Sequence, residues 1–221
     1  MSKPLACPLC HSKTFDRFAH DKRRDYMRCP ECLLVFVPES MHLTAEQEKA
    51  EYDKHQNALD DKGYLNFLSR TYQPLLQRLP ANSSGLDFGC GPAPALAEQL
   101  KQHGHSMALY DHYYFPDDDV LSQKYDFITC TEVIEHLGKP DLVLSQLKQL
   151  LKPEGLIAIM TKRVIDQARF QNWHYKNDPT HICFYSEQTF NWIARHWQMS
   201  LEIIDEDVVF LHNGTNTLNK A

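Results

Sequence analysis

The sequence lacks any long apolar run, and no stretch approaches the ~20 residues that a membrane-spanning helix requires. The first ten residues, MSKPLACPLC, also lack the apolar centre of a secretion signal. Without an export signal, the seven cysteines are expected to be thiols or metal ligands rather than disulfides. We therefore expect a cytoplasmic protein without a membrane span.

An excess of positive charge is absent as well. The chain has 23 Lys and Arg residues against 29 Asp and Glu residues, and its formal net charge is -6 at pH 7. No overall basic field attracts it to nucleic acid, so a nucleic acid partner is possible but less favoured than a small-molecule substrate. The 221 residues, 43% of them hydrophobic, fit one medium domain with a small appendage. We find no internal repeat and no low-complexity segment.

Four of the cysteines have the spacing of a metal site. Cys7 and Cys10 form one C-P-x-C pair, Cys29 and Cys32 form another, and eighteen residues lie between the pairs. Two such turns supply the four thiolates that Zn²⁺ prefers in a closed, structural site. We therefore predict a zinc ribbon over residues 1–40, with a strand at residues 33–37. Unrelated free cysteines or a redox pair are the weaker alternatives.

Apolar periodicity divides the remaining chain into two parts. Residues 41–80 are helical in pattern, with a break near residues 60–63, and we expect them to cover the functional site. Residues 81–221 alternate between strands and helices, which predicts an α/β fold with a doubly wound, mostly parallel sheet. Strands are predicted at 85–88, 106–110, 125–131, 156–161, 199–204 and 208–211. Helices are predicted at 93–102, 141–151 and 186–197.

A glycine turn follows the first of these strands. Its residues are Asp87, Phe88, Gly89, Cys90 and Gly91, and ligands of doubly wound sheets bind at such strand ends. No Gly-Lys-Ser/Thr follows, so the turn is not a phosphate loop, and Pro94 occupies the third glycine position of a dinucleotide fingerprint. A purely structural turn is the alternative. Against it, Asp111 ends the next strand, where a carboxylate can bind both hydroxyls of a ribose.

Taken in order, four segments resemble the motifs of class I S-adenosylmethionine-dependent methyltransferases. They are DFGCGP, Asp111, YDFITCTEVIEHL and LLKPEGLIAIMT, and they span about residues 85–161. The resemblance implies a methyltransferase that binds S-adenosylmethionine. It also implies roles for seven cofactor-binding residues: Asp87, Gly89, Cys90 and Gly91 at the methionine end, Asp111 at the ribose, His112 near the adenine and Thr131 near the sulfonium.

The chain departs from this family pattern after Asp111. Only thirteen residues separate Asp111 from Tyr125, where the family usually has a helix and a further strand. We therefore expect that helix or strand to be shortened or missing. How the adenine is held is then the least certain part of the cofactor site.

A second cluster of potential metal ligands lies in the segment Glu132-Val133-Ile134-Glu135-His136. On a helical turn its two carboxylates and its imidazole would share one face and suit Mg²⁺ or another divalent cation. The string resembles that of ubiquinone-biosynthesis O-methyltransferases and of small-RNA 2′-O-methyltransferases, which implies His181 as a fourth ligand. Two residues are inserted before His181 relative to the RNA enzymes. The alternative is that the acids are solvated or pair with a helix dipole and that the histidines are packed or hydrogen-bonded.

Two further segments are candidates for binding the substrate. One is the aromatic stretch 170–176, and the other contains Tyr52, His55 and Asn57. The leading hypothesis is O-methylation of a small-molecule hydroxyl, with Glu132, Glu135, His136 and His181 as the catalytic set. Two other functions stay open: an RNA methyltransferase that uses the ribbon to hold RNA, and a non-catalytic module that binds the cofactor.

Overall fold

The computed structural model describes residues 5–54 and 61–214. The strands are β1 Asp16–His20, β2 Asp25–Arg28, β3 Val35–Phe36, β4 Ser84–Phe88, β5 Ser106–Tyr110, β6 Tyr125–Thr131, β7 Leu151–Met160, β8 Cys183–Phe184, β9 Ser200–Ile203 and β10 Val208–His212. The helices are α1 Ala45–Tyr52, α2 Lys62–Leu76, α3 Ala95–Gln102, α4 Pro140–Leu150, α5 Gln167–Gln171 and α6 Glu187–His196. Short 3-10 turns lie at residues 39–41, 118–122, 134–136 and 174–177.

The larger sheet has six strands in the order β5-β4-β6-β7-β10-β9. Its first four strands are mutually parallel, while β10 is antiparallel to both of its neighbours. Side chains alternate between the two faces of β7: Ile157 and Ile159 join one apolar core, and Ala158 and Met160 join the other. A strand that is apolar on both faces is typical of a sheet with helices on both sides. The predicted α/β, doubly wound, mostly parallel fold is confirmed.

The helices cover the two faces of this sheet. Leu68 and Leu75 of α2 pack with Leu100 of α3 in one core. Leu147 of α4 and Phe190 of α6 belong to the other core, which also contains the apolar residues of the N-terminal segment. The predicted helices are therefore present, with ends shifted by a few residues. No helix within the described ranges is long and apolar enough to cross a membrane.

Strand β5 lies at an edge of the sheet. Between Asp111 and Tyr125 the chain forms a tight turn closed by an isolated bridge from Asp111 to Phe115 and then the 3-10 turn Asp118–Ser122. It rejoins the sheet at β6, on the far side of β4. This is the shortening that the thirteen-residue spacing predicts. The glycine turn and Asp111 therefore follow the two strands at this edge, and within residues 5–54 and 61–214 no strand lies beyond β5.

The smaller sheet joins the N-terminal segment to a strand of the C-terminal part. Its order is β1-β2-β3-β8, all neighbours are antiparallel, and β8 comes from the last fifth of the sequence. Val35 and Phe36 pair with Phe184 and Cys183, and Val37 N donates to the carbonyl of Ile182 at 2.8 Å. The predicted ribbon thus shares a sheet and a core with the C-terminal part.

Two predicted strand boundaries are wrong. The strand predicted at residues 33–37 is only Val35–Phe36, because Leu33 has a φ of 61° and ends the preceding turn. Strand β7 begins at Leu151 rather than Leu156, so it contains Pro153-Glu154-Gly155, which lie between the predicted helix 141–151 and the predicted strand 156–161. The pairing of β7 with β6 shifts register at this point. Glu154 has a φ of 60°, and this local irregularity, like a β-bulge, lets residues 151–155 belong to the same strand as residues 156–160.

Candidate active site

A cavity of about 840 Å³ opens at the carboxyl ends of β4, β5 and β6. This is where a doubly wound sheet binds its ligand. Many of the predicted site residues line it: Gly89, Cys90, Gly91, Asp111, His112, Thr131, Glu132, His136 and His181. Asp87 and Glu135 are buried and are not among the lining residues.

The glycine turn has two left-handed residues with different functions. Gly89 has a φ of 74°, and a Cβ there would lie 2.4 Å from Cγ2 of Val133, so the turn packs tightly against the segment after β6. Gly91 has a φ of 63°, and a Cβ there would meet nothing within 4 Å. Gly91 therefore leaves open space at the cavity wall. A ligand needs such space to come close to the backbone.

Asp87 supports the turn from beneath. It accepts a hydrogen bond from Thr129 Oγ1 at 2.7 Å on the neighbouring strand. Burial raises the pKa of the Asp87 carboxyl to about 6, although the hydrogen bond from Thr129 acts in the opposite direction. The residue joins β4 to β6 at the base of the cofactor turn, while its predicted contact with the cofactor remains a prediction.

Asp111 is held at the cavity wall by backbone N–H groups. Its Oδ2 accepts from Gly91 N at 3.0 Å, and its Oδ1 accepts from Tyr113 N at 2.9 Å and from Tyr114 N at 3.1 Å. The carboxylate thus ties the end of β5 to the glycine turn after β4. The fixed carboxylate lies beside the turn, and its contact with a ribose remains a prediction.

Two tyrosines that the sequence reasoning missed close the cavity beyond Asp111. Tyr113 donates to Glu48 at 3.0 Å, and Tyr114 donates to Asp53 at 2.8 Å, both at helix α1. His112, the residue predicted near the adenine, packs edge-on against Tyr113 with ring centroids 5.0 Å apart. Aromatic side chains and α1 therefore form a wall where the family usually has a helix and a strand. The Tyr113-Tyr114 pair, which follows Asp111 after one intervening residue, was the available signal.

Three of the four predicted catalytic residues converge. One ligand atom from each of Glu135, His136 and His181 lies within 4.8 Å of the others, a grouping that could hold a metal ion. Glu132 stands apart from this group. It has a φ of 53°, and only Ile134–His136 form a 3-10 turn, so the helical turn predicted for residues 132–136 is wrong.

Tyr175 connects Glu132 to the cluster. Its hydroxyl lies 2.5 Å from Glu135 Oε1 and 3.2 Å from Glu132 Oε2. The single hydroxyl hydrogen of Tyr175 is therefore within hydrogen-bonding distance of two carboxylates. Tyr175 belongs to the predicted aromatic stretch 170–176, which the structure brings against the Glu132–His136 segment.

The two histidines are oriented through the same ring nitrogen. His181 Nδ1 lies 2.7 Å from the carbonyl of Tyr175, and His136 Nδ1 lies 3.2 Å from the carbonyl of Thr180. Each Nδ1 donates to a carbonyl in the neutral tautomer, so the lone pair is on Nε2. His136 Nε2 lies 3.9 Å from Glu135 Oε1. Metal-binding histidines are usually oriented in this way, by an N–H donated to a carbonyl.

The carboxylates lack enough partners for their burial. Glu135 is fully buried, and within the described residues its Oε2, together with Glu132 Oε1 and Thr131 Oγ1, has no hydrogen-bond partner. Burial raises the pKa of Glu132 to about 7 and that of Glu135 to about 8. Glu135 is therefore not a solvated acid, as the alternative supposed. Its unpaired oxygen and the oriented imidazoles fit a divalent cation.

The four predicted zinc ligands form a separate cluster. Their sulfurs lie within 4.8 Å of one another, and both Cys7–Cys32 and Cys10–Cys29 are 3.4 Å apart. Each pair is followed by a left-handed residue, His11 or Leu33, whose N–H donates to the carbonyl of the first cysteine. The hydrogen bond between Cys7 and Cys32 lowers the pKa of Cys7 to about 6 and raises that of Cys32, so one thiol of this pair is predisposed to ionise. Four convergent sulfurs of this kind could hold a zinc ion.

The substrate-binding segments meet the cavity only in part. Tyr52, His174 and Tyr175 line it, whereas Phe170 is buried in the core. His55 and Asn57 lie outside the described residues. Three further lining residues were not predicted: Tyr64 and Phe67 of α2, and Lys162 after β7. Lys162 Nζ lies 3.3 Å from His174 Nε2.

Comparison with known proteins agrees with this geometry. A family model described as a methyltransferase domain matches residues 55–201, well over half of the chain. The ubiquinone biosynthesis O-methyltransferase of Coxiella burnetii is 28% identical over 90 residues, which are 39% of this chain and 38% of that protein. The enzyme of the same name from Glaesserella parasuis is 45% identical over 90 residues, 38% of this chain and 37% of that protein. The alignments thus span under two fifths of these relatives.

Solved structures share the fold at low sequence identity. The 1,6-didemethyltoxoflavin-N1-methyltransferase of Burkholderia thailandensis, solved with 1,6-didemethyltoxoflavin and S-adenosylhomocysteine, is 14% identical, with a TM-score of 0.54 over 88% of this chain and 97% of that one. An O-methyltransferase family protein of the same organism is 13% identical, with a TM-score of 0.51 over 79% of this chain and 64% of that one. The chain therefore belongs to the family described as a methyltransferase domain, and it shares the fold of these solved methyltransferases.

Proposed function

We propose that the protein transfers the methyl group of S-adenosylmethionine to a hydroxyl oxygen of a small molecule, assisted by a divalent cation at Glu135, His136 and His181. One observation carries the proposal: His136 and His181 line the same cavity as the glycine turn and Asp111, and their ligand atoms converge with the buried carboxylate of Glu135 behind that wall. The similarity to ubiquinone biosynthesis O-methyltransferases supports oxygen as the acceptor atom. The net charge of -6 favours a small molecule over RNA.

The residues of the chain divide the cavity between two substrates. The glycine turn and Asp111 would bind the methyl donor, and the Glu135, His136 and His181 cluster would bind the acceptor. A divalent cation bound there supplies Lewis acidity, which lowers the pKa of a coordinated hydroxyl. Thr131 and Glu132 lie between the two parts in sequence and line the cavity. Positioning the acceptor oxygen in line with the donor methyl would supply most of the remaining rate enhancement.

Tyr175 and the aromatic lining would prepare the acceptor end. The Tyr175 hydroxyl orients the carboxylates of Glu132 and Glu135 before a ligand arrives. Tyr52, Tyr64 and Phe67 offer flat apolar surface beside them, which suits an aromatic acceptor such as a catechol. The four-cysteine cluster would hold zinc in a structural role, because all four ligand positions are occupied by protein.

A pair of variants tests the proposal by separating the two ends of the cavity. Glu135→Ala is expected to abolish the dependence of methylation on added Mg²⁺ or Mn²⁺ and to lower kcat about 100-fold, with unchanged affinity for S-adenosylhomocysteine. Asp111→Ala is expected to weaken S-adenosylhomocysteine about 10- to 100-fold, because it removes a charged hydrogen-bond acceptor, and to leave Mn²⁺ affinity unchanged.

The measurements are calorimetric titration of each ligand and methyl transfer to a panel of catechols and short RNAs. Metal-independent turnover that survives unchanged in Glu135→Ala would refute the role of the cation. Transfer to RNA ends alone, with steep salt dependence of RNA binding, would replace the small molecule by RNA.

A further inference from the structure

The loop that carries His181 depends on the N-terminal ribbon for its shape. Residues 175–181 run from the 3-10 turn at 174–177 to the residue before Ile182, and they present a series of backbone carbonyls without a regular strand or helix. An irregular buried loop needs partners for these carbonyls from elsewhere in the molecule. In this loop most of the partners come from one side chain.

That side chain is Arg24, at the tip of the β1–β2 hairpin. Its guanidinium donates to four carbonyls: Pro179 and His181 at 2.9 Å, Asp178 at 3.0 Å and Lys176 at 2.5 Å. Arg24 is only 7% exposed and forms no salt bridge with any residue that the structure describes. Four carbonyl dipoles and the ring of Tyr26, whose centroid lies 5.5 Å from Arg24 Cζ, therefore stabilise a buried cation, so the loop and the guanidinium depend on each other.

Of the remaining loop carbonyls, that of Asn177 accepts from Arg23 Nη2 at 3.1 Å, and the other two bind inside the site. The Thr180 carbonyl lies 3.2 Å from His136 Nδ1, and the Tyr175 carbonyl lies 2.7 Å from His181 Nδ1. These are the contacts that orient both imidazoles. Arg24 holds the carbonyls on either side of Thr180, so its guanidinium fixes the geometry that sets the tautomers of His136 and His181.

The hairpin joins this contact to the cysteine cluster. Cys29 directly follows β2, and Cys10 precedes β1, so the cluster lies at the base of the hairpin. At the tip, Asp21 Oδ1 accepts from the N–H groups of Arg23 and Arg24, at 2.8 and 2.9 Å. Asp21 Oδ2 also accepts from Lys176 Nζ at 3.1 Å. The cysteines therefore anchor one end of a short hairpin whose other end shapes the active site.

We propose that Arg24 is a positioning residue for His181 and His136, and that the ribbon builds the acceptor end of the active site rather than an RNA-binding surface. The expected change in metal affinity rests on the cation site proposed above. The tautomer of His181, measured in the protein without added metal, does not depend on that site.

Three variants of the full chain test the proposal. Arg24→Ala removes all four donors, and Arg24→Lys keeps the charge but lacks the planar set of donors. Arg17→Ala is the matched control, because Arg17 lies on the same hairpin, is mostly exposed and contacts Asp25 rather than the loop. Mn²⁺ affinity is measured by electron paramagnetic resonance, and S-adenosylhomocysteine affinity by calorimetry. The His181 tautomer is measured by long-range ¹H–¹⁵N spectra, assigned with His181→Gln.

We expect Arg24→Ala to weaken Mn²⁺ about 10- to 100-fold, as for other residues that orient metal ligands. S-adenosylhomocysteine affinity should stay within about twofold, because the backbone hydrogen bonds that fix Asp111 to the glycine turn do not involve Arg24 or the loop. His181 should be the Nδ1–H tautomer in the wild type and a mixture in Arg24→Ala. Millimolar guanidinium should partly restore both properties, and Arg24→Lys should fall between the wild type and Arg24→Ala.

Other results would overturn the proposal. Wild-type Mn²⁺ affinity and an unchanged His181 tautomer in Arg24→Ala or Arg24→Lys would show that the loop keeps its shape without Arg24. If Arg24→Ala fails to fold, the Arg24→Lys variant decides by the same two measurements. If the wild type binds S-adenosylhomocysteine but no Mn²⁺ at this site, the cation proposal fails, and the tautomer measurement alone decides the role of Arg24.

Discussion

The protein contains two clusters of potential metal ligands, and they are built in opposite ways. The cysteine cluster comes from two short turns of identical form, each closed by a left-handed residue after its second cysteine. The Glu135, His136 and His181 cluster draws on segments 45 residues apart, and a third segment, the hairpin with Arg24, shapes one of them. Local spacing defines the first cluster, whereas tertiary contacts define the second. The first should therefore tolerate changes elsewhere, and the second should not.

The largest effect expected from this comparison comes from removing a sulfur. Cys29→Ser should lose the zinc and lower the free energy of unfolding by roughly 5 kcal/mol or more, because the free energy of binding a structural zinc adds to that of folding. Zinc content by mass spectrometry and thermal unfolding measure the change. Cys183→Ala, a buried cysteine outside the cluster, is the control and should retain one zinc per chain. Equal zinc content in Cys29→Ser and the wild type would contradict the assignment.

The second cluster should show itself through the pH dependence of stability. Burial raises the pKa of Glu132 to about 7 and of Glu135 to about 8, above the value of about 4.5 in the unfolded chain. Between these values the folded state binds more protons than the unfolded state, so stability falls as pH rises from about 4.5 to 8. We expect a loss on the order of 3 kcal/mol in metal-free protein, and a smaller loss when Mn²⁺ is present.

Denaturant unfolding at pH 5, 6.5 and 8 measures this dependence. Glu135→Gln should flatten the profile, since it removes the group with the larger pKa shift. The cysteine cluster offers the comparison, because Cys29→Ser should shift the whole profile downward without removing its slope between pH 5 and 8. A slope that is the same in Glu135→Gln and the wild type would show that other groups cause it.

A smaller effect is expected from the hydroxyl that joins the two carboxylates. Tyr175→Phe removes the hydrogen bonds to Glu135 and Glu132 but keeps the ring packed against His181 at a centroid distance of 4.2 Å. Both carboxylates then lose a donor that favours their charged form, so Mn²⁺ affinity at pH 7 should fall about 3- to 10-fold. Raising the pH to 8.5 should recover part of the loss. Titration of Mn²⁺ at both pH values checks this, and an equal deficit at both would mean that the hydroxyl acts through geometry instead.

The parts of the molecule that follow from local pattern could be predicted from the sequence. The parallel strands, the turn from Gly89 to Gly91 and the four cysteines are each defined within a few residues by periodicity, backbone freedom or ligand spacing. The meeting of Glu135 with His181 was inferred only through a family resemblance, because periodicity contains no information on a contact across 46 residues. No sequence pattern indicated the contact of Arg24 with the His181 loop, since its partners are backbone carbonyls, which every residue has.

Two local predictions, the start of β7 and the helical turn at Glu132, were wrong because they too depend on tertiary contacts. Leu151 to Gly155 have the composition of a helix end and a turn, yet a register shift against β6 incorporates them into β7. Glu132 fits a helical face by spacing, but the tight packing of Gly89 against Val133 forces the chain into a left-handed residue first. Tertiary packing outweighed local preference in both places.

The hydrogen bonds of Asp111 have a consequence for how fast the cofactor binds. Because Gly91, Tyr113 and Tyr114 already fix this carboxylate, the turn loses its conformational freedom when the protein folds and not when the ligand arrives. The cofactor would therefore meet a finished receptor, and little of its binding energy would be used to order the backbone. Association should then follow a single step whose rate rises in proportion to ligand concentration, without the plateau that a slow ordering of the loop would impose.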